Sequence, residues 1–103
     1  MWCPKYRHAI LKPIEESLEA SFRNVCDEYS YEILSLHISS DHVHPFLSAH
    51  PKHALSEIVR TVKSITAREM WEQYEPFLAE YLWGGGFWEE SYTSGRQAMS
   101  RPT

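Results

Sequence analysis

The chain has 103 residues, a formal net charge of −4 with neutral histidines, and a composition that is 43% hydrophobic and 14% aromatic. This length suits one domain with a single modest core, and the apolar content excludes an intrinsically disordered chain. No run approaches the roughly 20 apolar residues of a membrane-spanning helix, and the two cysteines form no Cys-x-x-Cys pair, so we expect a cytoplasmic protein with reduced thiols and no membrane contact.

The first predicted element is an extended aromatic segment from Trp2 to His8, which carries Lys5 and Arg7. Pro13 then suits the first turn of a helix, where its missing N–H costs nothing. From this point apolar residues recur every three or four positions, which predicts an amphipathic helix: they are Ile14, Leu18, Phe22, Val25 and Tyr29.

Two paired strands are predicted next. Residues 31–38 are rich in β-branched and apolar side chains, the run Ser39-Ser40-Asp41 has turn chemistry, and residues 42–49 return as the partner strand. Pro45 has no N–H, so the second strand lies at a sheet edge or is irregular there. In a tight hairpin His37 lies across from His44, although the sequence does not fix that register.

The pair His42-Val43-His44 is the most informative feature of the chain. Side chains alternate between the faces of a strand, so both imidazoles are expected on one face with Val43 on the other. Two imidazoles on one rigid face can share a divalent cation. Two exposed strand histidines without a ligand are the alternative interpretation.

A second helix is predicted from about Ala54 to Tyr74, with a buried apolar stripe and with Arg60 and Lys63 on the opposite side. Glu75-Pro76 interrupts the pattern. The remaining predicted elements are a short apolar piece at 77–83, a glycine break at 84–86, a final strand at 87–93 and a frayed tail at 96–103.

The order strand, helix, strand, strand, helix, strand predicts an α+β fold of the ferredoxin-like, split βαβ type. It has one antiparallel sheet with both helices on one face. The other face stays open, and we expect His42 and His44 to meet the basic residues of the first strand there.

Three blocks of the sequence resemble one known family. The run Trp2 to Arg7, the block Asp41-His42-Val43-His44, and Leu82-Trp83-Gly84-Gly85 followed by Trp88 and Ser91-Tyr92 occur in this order and spacing in the single-tyrosine transposases of the HUH superfamily. These enzymes mobilise small bacterial and archaeal insertion sequences. The resemblance assigns residues 1–95 to a transposase-like domain.

The resemblance implies a chemistry and a set of roles. Family members bind hairpins at the ends of single-stranded DNA, and a tyrosine attacks the backbone to leave a 5′-phosphotyrosine before rejoining. His42 and His44 would hold Mg²⁺ or Mn²⁺, and Asp41 would orient an imidazole or a bound water. A homodimer is expected. We add a prediction from charge, that phosphate contacts come from four basic residues: Lys5, Arg7, Arg60 and Lys63.

The sequence departs from the family at one essential point. In the family the nucleophilic tyrosine lies on a later helix, followed four residues on by a glutamine that is a third metal ligand. No Tyr-x-x-x-Gln occurs here, and Tyr92 belongs to the strand block. We therefore assign no catalytic nucleophile, and expect a chain shortened at both ends that is inactive alone.

Two alternatives remain at this stage. One is a plain nucleic-acid-binding module that uses aromatic side chains on the open sheet face, with binding that is indifferent to chelators. The other is a dimeric metal-binding scaffold without a role on DNA, which predicts retained Zn²⁺ and no salt-dependent hairpin affinity.

Overall fold

The computed structural model describes residues 2–82 and 86–89, except for the side chain of Arg7. Within them the chain forms helices α1 (Glu15–Glu28) and α2 (Leu55–Ala79) and strands β1 (Glu32–Ile38) and β2 (Val43–Ser48). Two short 3₁₀ turns, at Lys5–Arg7 and Lys12–Ile14, precede α1. In this described part, no helix is long and apolar enough to cross a bilayer.

Helix α1 forms where the apolar periodicity predicts it. Leu18, Phe22 and Val25 are almost fully buried on one side, while acidic residues occupy the first turn near the positive end of the helix dipole. The helix ends because Ser30 adopts a left-handed conformation with φ of 63°, which lets the Tyr31 N–H donate to the Cys26 carbonyl at 2.8 Å.

Strands β1 and β2 form an antiparallel hairpin closed by the loop residues Ser40 and Asp41. The Ser39 N–H donates to the His42 carbonyl at 2.8 Å. The register places His37 opposite His44, with a bulge between Ile33 and Ser35. The pairing of His37 with His44 expected for a tight hairpin is therefore confirmed.

In place of the predicted first strand, Trp2 and Pro4 each form an isolated β-bridge. Trp2 bridges Val43 and Pro4 bridges Trp88, both antiparallel, so the sheet order runs Trp88, Trp2–Pro4, β2, β1. The predicted extended segment, broken by Pro4, does not continue to His8, because a 3₁₀ turn follows Pro4 and Tyr6 has φ of 62°.

The predicted last strand is described only as far as Glu89, with its bridge at Trp88. The remainder of that strand, the first two glycines of the predicted break and the predicted tail at 96–103 lie outside the described residues. The α+β fold with one antiparallel sheet and two helices is confirmed, and the two bridges lie where the split βαβ order requires its other two strands.

Pro45 fits the prediction of an edge or an irregularity. Val43 exchanges both backbone hydrogen bonds with Trp2 on the side of β2 away from β1. Backbone nitrogens alternate in direction along a strand, so the nitrogen of Pro45 faces the same side as that of Val43. On that side it lies past the point where Trp2 pairs with β2.

The core lies between the sheet and the helices, and three aromatic rings join its distant parts. Trp2 stacks on Phe22 at 6.0 Å between ring centroids, and Trp88 meets both rings edge-on at 6.1 and 6.4 Å. Helix α2 closes the core but continues through the predicted break at Pro76, with a kink at Tyr74. Its predicted end near Tyr74 therefore marks the kink rather than the terminus.

Candidate functional site

The open face of β2 carries the two histidines. Residues of this strand alternate between buried and half-buried, and Val43 is fully buried between the half-buried His42 and His44. The two imidazoles therefore share the face that points away from the core, as alternation predicts. They are neither turned to opposite sides nor enclosed in the apolar interior.

Asp41 contacts His42 directly. The Asp41 carboxylate lies 3.0 Å from Nδ1 of His42, and about a third of the His42 side chain is exposed. A proton on Nδ1 satisfies that contact, which leaves Nε2 as the nitrogen with a free lone pair. The carboxylate thus fixes the tautomer of His42 in which Nε2 can bind a cation.

His44 is half-buried and therefore less exposed to water than an ordinary surface histidine. Its ring stacks on Phe46 with 4.9 Å between centroids and 26° between planes. Burial lowers the pKa of His44 below 6.5, and the positive charges of nearby groups, including His42 and His37, lower it further. A lowered pKa keeps the imidazole neutral near pH 7, which is the form that binds metals.

His37 is the residue whose role the sequence did not assign. It is exposed and paired directly opposite His44 in the ladder. The sequence holds one indication of this pairing, the two-residue loop Ser40-Asp41. In a hairpin with such a loop, residues equally distant from it lie opposite each other, as His37 and His44 do. Phe46, which orients His44, was also missed, although its position two residues after His44 places both on one face.

Three of the four predicted phosphate contacts gather elsewhere, around residues 86–89. The Lys5 ammonium approaches Gly86, and Lys63 Nζ donates to the Glu89 carbonyl at 2.5 Å. Exposed Arg60 lines the same region. The side chain of Arg7 lies outside the described part. The Lys5 side chain extends towards Gly86, and its expected meeting with the histidines stays a prediction.

A groove of about 430 Å³ runs along α2 beside residues 87–89. Its floor is apolar, built from Val59, Ala67 and the two aromatic residues Phe87 and Trp88, and Arg60 lies at its rim with serine hydroxyls. Trp88, which lines the groove, is held in place because its Nε1 donates to Thr66 Oγ1 at 3.0 Å. The charged side chains in its lining are Arg60, Lys63 and Glu89.

The donor set on β2 suits a divalent cation with open positions. Among residues 2–82 and 86–89, no three His, Cys, Asp or Glu side chains are grouped to hold one metal ion. Two imidazoles would therefore form a half-site, and the remaining ligands would be oxygens of water or of a phosphate.

Comparison with known proteins gives one consistent result. The family model described as "Transposase IS200 like" matches residues 1–100. The ISDra2 transposase TnpA of Deinococcus radiodurans is 38% identical over 93 residues, covering 89% of this chain and 66% of that protein. A crystal structure of a candidate transposase from Deinococcus radiodurans R1 aligns with a TM-score of 0.79 at 30% identity, covering 93% of this chain and 76% of that one. The chain thus spans about two thirds of the curated relative.

Proposed function

This chain belongs to the IS200-like transposases, and from that premise we propose that it binds single-stranded hairpin DNA ends and supplies a metal half-site for their nicking and rejoining. The observation that carries the proposal is the shared outward face of His42 and His44 on β2. The pKa of His44 is lowered, and Nδ1 of His42 is in contact with a carboxylate. The lowered pKa keeps the His44 imidazole neutral near pH 7, and the carboxylate contact at Nδ1 leaves Nε2 of His42 available for a cation.

In this proposal His42 and His44 hold Mg²⁺ or Mn²⁺, and the bound ion supplies Lewis-acid polarisation of the scissile phosphate. Asp41 keeps the His42 ring in its metal-binding tautomer. Phe46 keeps the His44 ring against the sheet. The protein side chains therefore orient and desolvate the two nitrogens before DNA arrives.

The DNA backbone is assigned to the cations around residues 86–89. Arg60 at the rim of the groove is positioned for a phosphate, and Lys5 adds positive charge beside Gly86. Lys63 has a structural task as well, because its ammonium holds the Glu89 carbonyl. Arg7 stays a predicted phosphate contact.

None of the six tyrosines is followed four residues on by glutamine. We therefore assign residues 1–103 the DNA-binding and metal-holding part of the reaction, and expect no strand cleavage from them alone. A homodimer is part of the proposal, since an exposed sheet edge at β1 leaves room for a second copy.

Of the aromatic side chains, the two tryptophans of the sheet are unsuited to a stacking module. Trp2 and Trp88 are 4% and 7% exposed and pack in the core, so they offer no ring face to a nucleobase. A module that reads bases by stacking needs such rings on its open face.

Titration of residues 1–103 with Mn²⁺, followed by binding to a labelled hairpin, tests the proposal. We expect His42→Gln to weaken Mn²⁺ binding at least tenfold, while His50→Gln, a change in an exposed loop, leaves it unaltered. Hairpin DNA is expected to bind more tightly than an unstructured strand of equal length. Equal affinity for the two DNAs, or Mn²⁺ binding indifferent to His42→Gln, contradicts the proposal.

A further inference from the structure

We propose that His37 and His44 form a cross-strand site for a nitrogen-preferring divalent cation such as Ni²⁺ or Zn²⁺. The site shares His44 with the half-site of His42 and His44. Binding there therefore competes with Mn²⁺ for one imidazole, a consequence that rests on the function proposed above.

The strand register places the two side chains within reach of one ion. Ser39 and His42 are joined by a backbone hydrogen bond, and hydrogen-bonded and non-hydrogen-bonded pairs alternate along an antiparallel ladder. His37 and His44 are therefore a hydrogen-bonded pair, with Cα atoms about 5.5 Å apart. Directly opposite side chains stand on the same face, so both imidazoles rise from the open side of the hairpin.

The surroundings of His37 leave its ring available. It is exposed, and its side chain forms no hydrogen bond or ion pair with the described residues. His42 differs, because Asp41 fixes its Nδ1. His37 can therefore rotate towards a cation at His44 without breaking a contact.

The chemistry of two imidazoles favours a particular class of ion. Neutral imidazole nitrogen suits Ni²⁺, Cu²⁺ and Zn²⁺, and affinity at a given site rises along the series from Mn²⁺ to Cu²⁺. Mg²⁺ and Mn²⁺ accept more oxygen ligands, which a bound DNA phosphate supplies. The cross-strand pair, which needs no phosphate oxygen, is therefore expected to bind Ni²⁺ or Zn²⁺ more tightly than Mn²⁺.

The test is a titration of residues 1–103 with Ni²⁺ at pH 7.5, followed by competition with Mn²⁺ monitored by electron paramagnetic resonance. We expect His37→Gln and His44→Gln each to weaken Ni²⁺ binding at least tenfold, with His50→Gln unchanged. Ni²⁺ is expected to release bound Mn²⁺ from the wild type, and to do so at least tenfold less effectively from His37→Gln. Because His37 is exposed, the variant is expected to keep the wild-type circular dichroism spectrum.

The variants separate this inference from the proposed function. His37→Gln with normal Mn²⁺ binding and weakened Ni²⁺ binding supports the cross-strand site. Weakening of Ni²⁺ binding by both His37→Gln and His42→Gln also supports His37 as a ligand. Ni²⁺ binding to His37→Gln with wild-type affinity overturns the inference, whereas loss of the proposed function appears independently as Mn²⁺ binding indifferent to His42→Gln.

Discussion

Two tryptophans in the same core differ in one hydrogen bond. Trp88 Nε1 donates to Thr66 Oγ1, whereas Trp2 Nε1 is buried without a partner in the described structure. A buried polar group without a partner costs about 1–3 kcal/mol. Residues of one type and nearly equal burial therefore contribute differently to the free energy of unfolding.

Replacing each tryptophan by phenylalanine measures that difference. We expect Trp88→Phe to lower the free energy of unfolding by about 1–2 kcal/mol more than Trp2→Phe, because only the first change removes a satisfied hydrogen bond. Urea denaturation provides the measurement. Thr66→Val in a double-mutant cycle is expected to couple with Trp88→Phe and not with Trp2→Phe. Equal losses for the two tryptophans contradict the assignment.

His44 gives the chain a defined dependence on pH. Its pKa is lowered from 6.5 in the folded chain, first by burial and then by neighbouring positive charge. The unfolded chain therefore binds the proton more tightly, so this contribution to stability is complete above pH 6.5 and is lost as pH falls through the lowered pKa. We expect His44→Gln to lose less stability than the wild type between pH 7.5 and pH 5.

Unfolding curves for both proteins at several pH values test this expectation, with His50→Gln as the control for loss of an imidazole. A wild-type protein whose stability falls no more than that of His44→Gln is the contradicting result.

At the scale of elements, α2 is bent and its bend is held by α1. Tyr74 leaves helical geometry at φ of −129°, two residues before Pro76, and its hydroxyl lies 2.5 Å from that of Ser17. One turn further along α1, the Ser21 hydroxyl donates to the Glu69 carboxylate of α2. These contacts fix how the second half of α2 lies on α1.

Removing one hydroxyl tests the importance of this contact. We expect Tyr74→Phe to lower the free energy of unfolding by about 1 kcal/mol, since it deletes a part-buried hydrogen bond without changing volume. Tyr29→Phe, on an exposed ring, is the matched control and is expected to be nearly neutral. Thermal denaturation of both variants provides the measurement, and equal melting temperatures for the two would argue against the contact.

The elements that sequence predicts well are those with a local pattern. The apolar period of α1 and the alternation in β2 are written in neighbouring residues, so both were placed within a few positions. The pairing of Trp2 with Val43 and of Pro4 with Trp88 depends on residues far apart in the chain. No local pattern predicts such pairing. The first extended segment was therefore predicted to run further than it does in the structure.

In the candidate site, too, local patterns predict positions well and contacts between distant residues are not predicted. Alternation alone placed His42 and His44 on one face, because it needs only three adjacent residues. The position of Lys5 depends on the left-handed Tyr6 and on contact with Gly86, both products of the tertiary fold. Charge counting cannot supply that information.

For the whole molecule, a net charge of −4 is compatible with DNA binding because the charges beside the DNA matter more than the total charge of the chain. The acidic residues of the first turn of α1 are Glu15 and Glu16, whereas Arg60 lies at the groove beside residues 87–89. Contacts with phosphate are local and are screened beyond about 10 Å. The proposed interface is therefore expected to behave as a basic surface.

The salt dependence of hairpin binding tests this expectation. We expect Arg60→Gln to reduce the slope of log affinity against log salt by about 1, because one phosphate contact is lost. Arg68→Gln removes the same charge from an exposed position on α2 outside the groove and is expected to leave the slope nearly unchanged. Identical slopes for the two variants would place the DNA elsewhere on the protein.

The position of the Trp2–Pro4 segment between β2 and Trp88 has a consequence for biosynthesis. This segment leaves the ribosome long before residue 88, so Pro4 can pair with Trp88 only after the residues between them have been translated. The β1–β2 hairpin and α1 can form on the nascent chain. The pairing of Pro4 in the middle of the sheet requires that residue 88 has been translated. Until then the indole of Trp2 lacks the part of its packing that Trp88 supplies, so apolar surface stays exposed on the nascent chain.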